Sequence, residues 1–192
     1  HRERVLSDLN DVARLLLETT TSDEIISIAT EAGSNILELP YTHVYLKTDD
    51  GERLEPVGMT DEMTERFGEL PSFDRAEGLL WDVLESGETH VYDDVQSEAD
   101  TASEMPFRGA VLAPLGRKGV FASGSRRAAE FDTFDRKVVS ILAASTEAAL
   151  DRAEREKRLR EHETELTAAR DRFRSVFEHS NDAIVIFDPD AY

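Results

Sequence analysis

Residues 108–125 read RGAVLAPLGRKGVFASGS. Two apolar runs, 108–115 and 119–125, flank Gly116-Arg117-Lys118-Gly119, and a short glycine-bearing link between β-prone runs predicts a pair of adjacent strands. Working outward, the same period of two appears in YTHVYLKT (41–48) and RLEPVGM (53–59). These are joined by Asp49-Asp50-Gly51, whose Asp-Gly step suits a hairpin turn. ETHVYDDV (88–95) predicts one more strand with an acidic exit.

The remaining segments carry helical spacing. In residues 4–18, Val5, Leu9, Val12 and Leu16 recur at four, three and four, a narrow stripe. Thr19 to Ser22 interrupts it, and Ser22 or a neighbouring threonine can cap the next helix, which opens on Asp23-Glu24 where acids suit the helix dipole. That helix places Ile25, Ile28, Ala29, Ala32, Ile36 and Leu37 on one face, and Pro40 ends it. Thr60 can cap DEMTERFGEL, Glu77-Gly78 introduces LLWDVLESG, and QSEADTASEMP (96–106) reads as loop. From about 135 to 178 there is neither Pro nor Gly, and one long helix is expected. Paired antiparallel strands with helices in blocks make an α+β domain.

Composition limits the function. The 192 residues carry 41 acidic and 22 basic side chains, net −19, which argues against direct nucleic-acid binding because phosphate contacts need positive surface. Lysine occurs only at 47, 118, 137 and 157. Acidic excess with little lysine suits a halophilic cytoplasm, where salt screens repulsion among carboxylates; the bland alternative is a merely acidic soluble protein. No run approaches eighteen apolar residues, so no membrane segment is expected. No signal peptide is visible within these residues, and a cytoplasmic location is expected. There is no cysteine, which excludes disulfides, cysteine nucleophiles and a thioether-linked bilin.

Three stretches carry a resemblance: EGLLWDVLESGETHVYDDV, then RGAVLAPLGRKGVFASGS, then FDTFDRKVVSILAASTEAALDRAERE. Together they resemble a GAF domain, a small-molecule sensor module of signalling proteins, over residues 1–152 including the N-terminal helix. The resemblance implies a central antiparallel sheet of five or six strands with helices on both sides, extended by a long C-terminal coiled-coil helix (135–178, coiled coil about 156–177). Residues 173–192 resemble the start of a PAS domain, because Ser180-Asn181-Asp182 precedes the strand-like Ala183-Ile184-Val185-Ile186-Phe187. Since one strand cannot stand alone, and His1 stands in place of Met, the chain is expected to be a piece of a longer protein. The whole is similar to haloarchaeal multidomain sensors, of the histidine kinase or bacterio-opsin-activator-like kind.

The family's cyclic-nucleotide motif is met only in part. Phe131 and Asp135 keep its Phe-to-Asp spacing, but Arg136 replaces the Glu and Gly124-Ser125-Arg126 offers no Asn-Lys, which argues against that ligand. The resemblance places a ligand chamber between the sheet and the helices of 60–106, with Phe67, Phe73, Trp81, His90, Tyr92, Phe107 and Arg108 as candidate walls for an unidentified small molecule. Aromatics with a few polar groups suit such a pocket. The bland alternatives are that Phe67 and Trp81 fill a core and that Arg108 pairs with a nearby carboxylate. His43 and His90 lack metal-site spacing, and Asp93-Asp94 reads as an acidic turn.

In the long helix, Leu159, Leu166 and Phe173 fall at a positions with His162, Ala169 and Val176 at d. In a parallel homodimer Arg158 would meet Glu163 and Glu165 would meet Arg170. The same frame brings Arg152 and Arg155 into the seam as a weak polar core, and the stripe of the first helix could join it. Two other readings are a dimerising spacer that binds nothing and a histidine kinase part with phosphoacceptor His162; the Arg and Pro expected soon after that histidine are absent. No catalytic grouping is recognisable in the chain itself.

Overall fold

The computed structural model describes residues 2–39, 41–75, 78–98 and 107–179. They divide into two units, 1–153 and 154–192. The first holds helices α1 (Arg2–Glu18) and α2 (Ser22–Leu37), strands β1 (Tyr41–Lys47) and β2 (Arg53–Met59), α3 (Asp61–Phe67), β3 (Phe73–Asp74) and α4 (Leu79–Ser86). There follow β4 (His90–Tyr92), α5 (Val95–Glu98), β5 (Gly109–Leu115), β6 (Gly119–Ser125) and the start of α6 (Thr133–His179). The strands form one antiparallel sheet in the order β3-β2-β1-β6-β5-β4, with helices on both faces.

The expected hairpins are present. Around Gly51 the amide N–H returns to the Thr48 carbonyl at 2.8 Å, and β1 pairs with β2 on both sides of a register shift between Val44 and Tyr45. That shift falls where Tyr45 meets Pro56; a proline cannot donate to the ladder and is tolerated at such irregularities. The 108–125 stretch is the β5–β6 hairpin, in full register from Gly109↔Ser125 to Leu115↔Gly119.

Strand alternation sends Val44, Val111, Ala113, Leu115 and Phe121 to one face. There they meet Ile25, Ala29, Val138, Leu142 and Ala149 from α2 and α6. Val5, Leu9 and Leu16 of α1 are buried in the same cluster. The predicted α1 stripe is therefore consumed by its own domain and is not available to a seam. Helix α6 starts at a reciprocal cap: Asp132 Oδ1 accepts from the N–H groups of Phe134 and Asp135, while Asp135 Oδ2 accepts from Asp132 N–H. Its burial persists to Ala153. Arg152, read as seam core, instead donates to the Leu16 and Thr19 carbonyls at the C-terminal end of α1. Those carbonyls have no partner inside their helix.

Two elements depart from expectation. β3 is only two residues long, too short to show a period, and Val95–Glu98 adopts one helical turn where loop was expected.

The second unit, as described, is the rest of α6. Leu159, Leu166 and Phe173 are 64%, 68% and 65% exposed. Intrahelical pairs line it, Arg158 with Glu154, Arg160 with Glu156 at 3.2 Å and Lys157 with Glu161 at 4.0 Å. Each such pair adds a few tenths of a kcal/mol. The PAS-like run 183–187 lies outside the described residues, as does the side chain of Val176.

Candidate functional site

The second face of the sheet is aromatic. The period that turns Val44 one way turns Tyr41, His43 and Tyr45 the other. Opposite them α3 supplies Phe67, β3 supplies Phe73 and α4 supplies Trp81. Gly87, in the left-handed conformation at φ 70°, closes α4, a backbone state that glycine adopts without a Cβ penalty. Phe107, at the entry to β5, lies across Gly124 of β6; a Cβ there would sit 2.3 Å from its ring, so the close approach requires glycine.

The rings touch in sequence. Phe67 meets Tyr41 edge-on at 5.3 Å and Phe107 at 5.4 Å; Phe107 stacks on His43 at 5.7 Å. His43 meets Tyr45 at 5.5 Å, and Tyr45 meets Phe73 at 5.6 Å. Trp81 Nε1 donates to the Phe73 carbonyl at 3.3 Å, and the Tyr45 hydroxyl donates to the Pro71 carbonyl at 3.0 Å. Four of the seven candidate wall residues, Phe67, Phe73, Trp81 and Phe107, are therefore brought together. Tyr92 packs at the margin of this cluster and stacks on His90 at 6.0 Å.

Arg108 is not in the cluster. It is exposed and grips Asp94 with both arms of its guanidinium, Nε at 2.9 Å from Oδ1 and Nη2 on Oδ2. The hydrogen bond from Arg108 holds Asp94 below the usual carboxylate range, and Asp94 in turn raises Arg108. The salt-bridge reading of Arg108 is the one the geometry carries, and Asp94 is occupied by it. Among the described residues no group of three His, Asp or Glu side chains could hold a metal ion.

Sequence reasoning weighed His43 only as a metal ligand and did not place it among the chamber walls. It is 2% exposed, its Nδ1 atom has no hydrogen-bond partner, and burial lowers its pKa to about 4, the Tyr41 backbone offsetting part of this. Burial likewise raises the Tyr45 phenol. The signal was present in YTHVYLKT: Tyr41, His43 and Tyr45 share one face by period alone, although nothing in the period says that the face looks onto other aromatics.

A separate cleft of about 690 Å³ opens at the head of α6. Its walls include Glu38 and Tyr41, Arg126 and Arg127 after β6, and Phe131 and Asp135 at the helix start. Burial raises the Asp135 carboxyl above its ordinary range.

A family model for the GAF domain matches residues 19–151, which include every strand of the sheet. The chain belongs to the GAF domain family. Solved structures repeat the architecture. The GAF domain of a phosphoenolpyruvate-protein phosphotransferase from Coxiella burnetii is similar at 14% identity and TM-score 0.68, over 82% of this chain and 98% of that one. The corresponding domain from Acinetobacter gives 15% and 0.67, over 78% and 93%. Free methionine-R-sulfoxide reductase from Neisseria meningitidis, solved with its substrate, gives 18% and 0.66, over 77% and 89%. At these identities the likeness is one of fold. No curated protein matches the chain in sequence. GAF domains are sensory and regulatory modules, and none of the described helices is long and apolar enough to cross a membrane.

Proposed function

We propose that this GAF domain is the input module of a signal-transduction protein. A small molecule binds against the aromatic face of the sheet. The change then passes along a parallel dimer of α6 helices, joined through Leu159, Leu166 and Phe173, to a following PAS and output domain. The observation that carries this reading is the Nδ1 atom of His43. A buried polar atom left without a partner costs about 1–3 kcal/mol, and here it is held among rings that could flank a planar ligand. A ligand donor or acceptor at that point would remove the cost. Tenfold preference for one arrangement of the helices supplies about 1.4 kcal/mol of coupling.

The reading is non-catalytic. No cysteine is present. Ser86 and His90 approach at 3.3 Å, but the serine hydroxyl also donates to the Val83 carbonyl and accepts from Glu88 N–H, the behaviour of a helix-end residue. His162, exposed on α6, plays no part in it.

A second reading, a dimerising spacer that binds nothing, is favoured by the ring-to-ring contacts that already occupy the aromatic face. A thermal-shift screen of uncharged heteroaromatic metabolites in molar potassium chloride separates the two. A melting-point rise that disappears in His43→Leu supports the sensor; a flat response across the panel supports the spacer. Light scattering on the intact chain and on Leu166→Lys tests the seam, which predicts a dimer and a folded monomer respectively.

A further inference from the structure

The cleft at the head of α6 carries a pattern of charge that neither core explains. Arg2, Arg53, Arg75 and Arg108 each hold a carboxylate from another part of the chain. Arg126 and Arg127, adjacent and both lining the cleft, hold none among the described residues, although Glu38, Glu130 and Asp135 line the same space. Two of the acids each accept one hydrogen bond from elsewhere. Glu130 takes the Ser125 hydroxyl, and Asp135 accepts the Asp132 amide at 2.8 Å. In a chain with 41 acidic residues against 22 basic ones, two neighbouring guanidinium groups with no carboxylate partner among the described residues line one cleft together with three carboxylates.

We propose that this cleft is a second ligand site, separate from the aromatic cluster, and that it takes a zwitterion of the free α-amino acid class. Charge selects the class. A phosphate or other plain anion would suit the two arginines, whose forked geometry favours oxyanions, but would face three carboxylates. A plain cation meets the reverse difficulty. A molecule bearing both charges satisfies both sets: its carboxylate lies on Arg126 and Arg127, and its ammonium lies toward Asp135 and Glu130. Burial raises Asp135 above its ordinary range, with the neighbouring Asp132 charge adding to this and its amide hydrogen bond and the Arg2 charge offsetting part of it, so a positive group brought to Asp135 from the cleft would be favoured. Leu39, Tyr41 and Phe131 line the same space and offer an apolar surface to the side chain. The volume, about 690 Å³, falls within the size of small-molecule pockets.

The position gives the site a consequence. Asp135 lies in the first turn of α6 and belongs to the reciprocal cap with Asp132. Tyr41 lines the cleft and also stands against Phe67 and Phe107 in the aromatic cluster. An occupant therefore touches both the start of the long helix and the edge of the other site.

The test is isothermal titration of the full chain in molar potassium chloride with L-leucine and L-phenylalanine, beside their amides and their N-acetyl derivatives. The expected result is binding of at least one free amino acid, with loss of about tenfold or more in affinity for both derivatives. The same loss is expected in the Arg126→Gln/Arg127→Gln double variant and in Asp135→Asn. The arginines are exposed, so the double variant should melt where the parent does. Absence of binding by either amino acid up to about 10 mM overturns the proposal, as does equal affinity for the derivatives. Binding that survives the double arginine variant but is abolished by Phe107→Trp places the compound in the aromatic cluster. That outcome overturns the cleft site while supporting the sensor reading above.

Discussion

The two faces of one sheet are built from different chemistry. On the face covered by α2 and α6, aliphatic side chains such as Val44, Val111, Leu115 and Leu142 interdigitate, and the one buried hydroxyl on that stretch of α6, Thr146, returns to the Leu142 carbonyl. On the other face rings meet rings, a histidine is buried without a partner for Nδ1, and a glycine is needed to let Phe107 pass. The buried hydroxyl of the first arrangement is satisfied within its own helix. The second holds an unpartnered polar atom in an apolar setting, the observation on which the proposed ligand site rests. A fold can thus keep stability and recognition apart by using the two directions in which a strand points its side chains.

The sharpest way to break this contrast is to cut each face. Leu142→Ala should lower unfolding free energy by about 2–5 kcal/mol, the range for emptying a buried leucine site, as read by chemical denaturation in high salt. If that substitution were tolerated, the aliphatic face would not be the structural one. The next largest effect is pH-linked. The folded pKa of His43, about 4, lies below its ordinary 6.5. Below 6.5 the unfolded chain therefore takes up a proton that the folded chain refuses, so stability falls as pH drops from 6.5 toward 4. The full loss is about 3 kcal/mol, and it should show as the difference between the wild type and His43→Leu followed over that window. A parallel dependence in both proteins would mean that His43 is not the group responsible.

At neutral pH and without ligand, His43→Leu should itself gain about 1–3 kcal/mol by removing the unpartnered atom. A loss instead would show that the histidine is satisfied after all, and the aromatic face would then resemble its opposite. Asp132→Ala should cost about 1 kcal/mol through the lost cap of α6, seen as a lower melting temperature. The smallest effect belongs to Arg108→Ala: the Asp94 pair is exposed, and such pairs contribute under about 1 kcal/mol.

Much of this was legible before any coordinates. The 108–125 hairpin, the Asp-Gly turn after β1 and the uninterrupted helix from about 135 onward are local patterns, and local patterns survive folding when the hydrophobic period agrees with them. The site was legible only in part. Phe67, Phe73, Trp81 and Phe107 do converge, but the partners facing them from β1 are visible only once the sheet has an inside and an outside. Arg108 and Asp94 meet across fourteen positions of chain, a distance at which no spacing rule operates. Arg152 fitted a heptad on paper and donates to the open carbonyls at the end of α1, groups that have no partner inside their own helix and lie far away in sequence.

The chain contains one tryptophan, and it lies between α4 and β3 with its indole N–H on the Phe73 carbonyl. Light absorbed at the red edge of the protein band therefore excites a single chromophore, on the ring-lined side alone. Its emission colour reports how dry that side is and is blind to the aliphatic layer. A compound entering beside His43 should shift the fluorescence without any label, while one held at the head of α6 should leave the spectrum nearly still, so the molecule carries its own means of telling its two candidate sites apart.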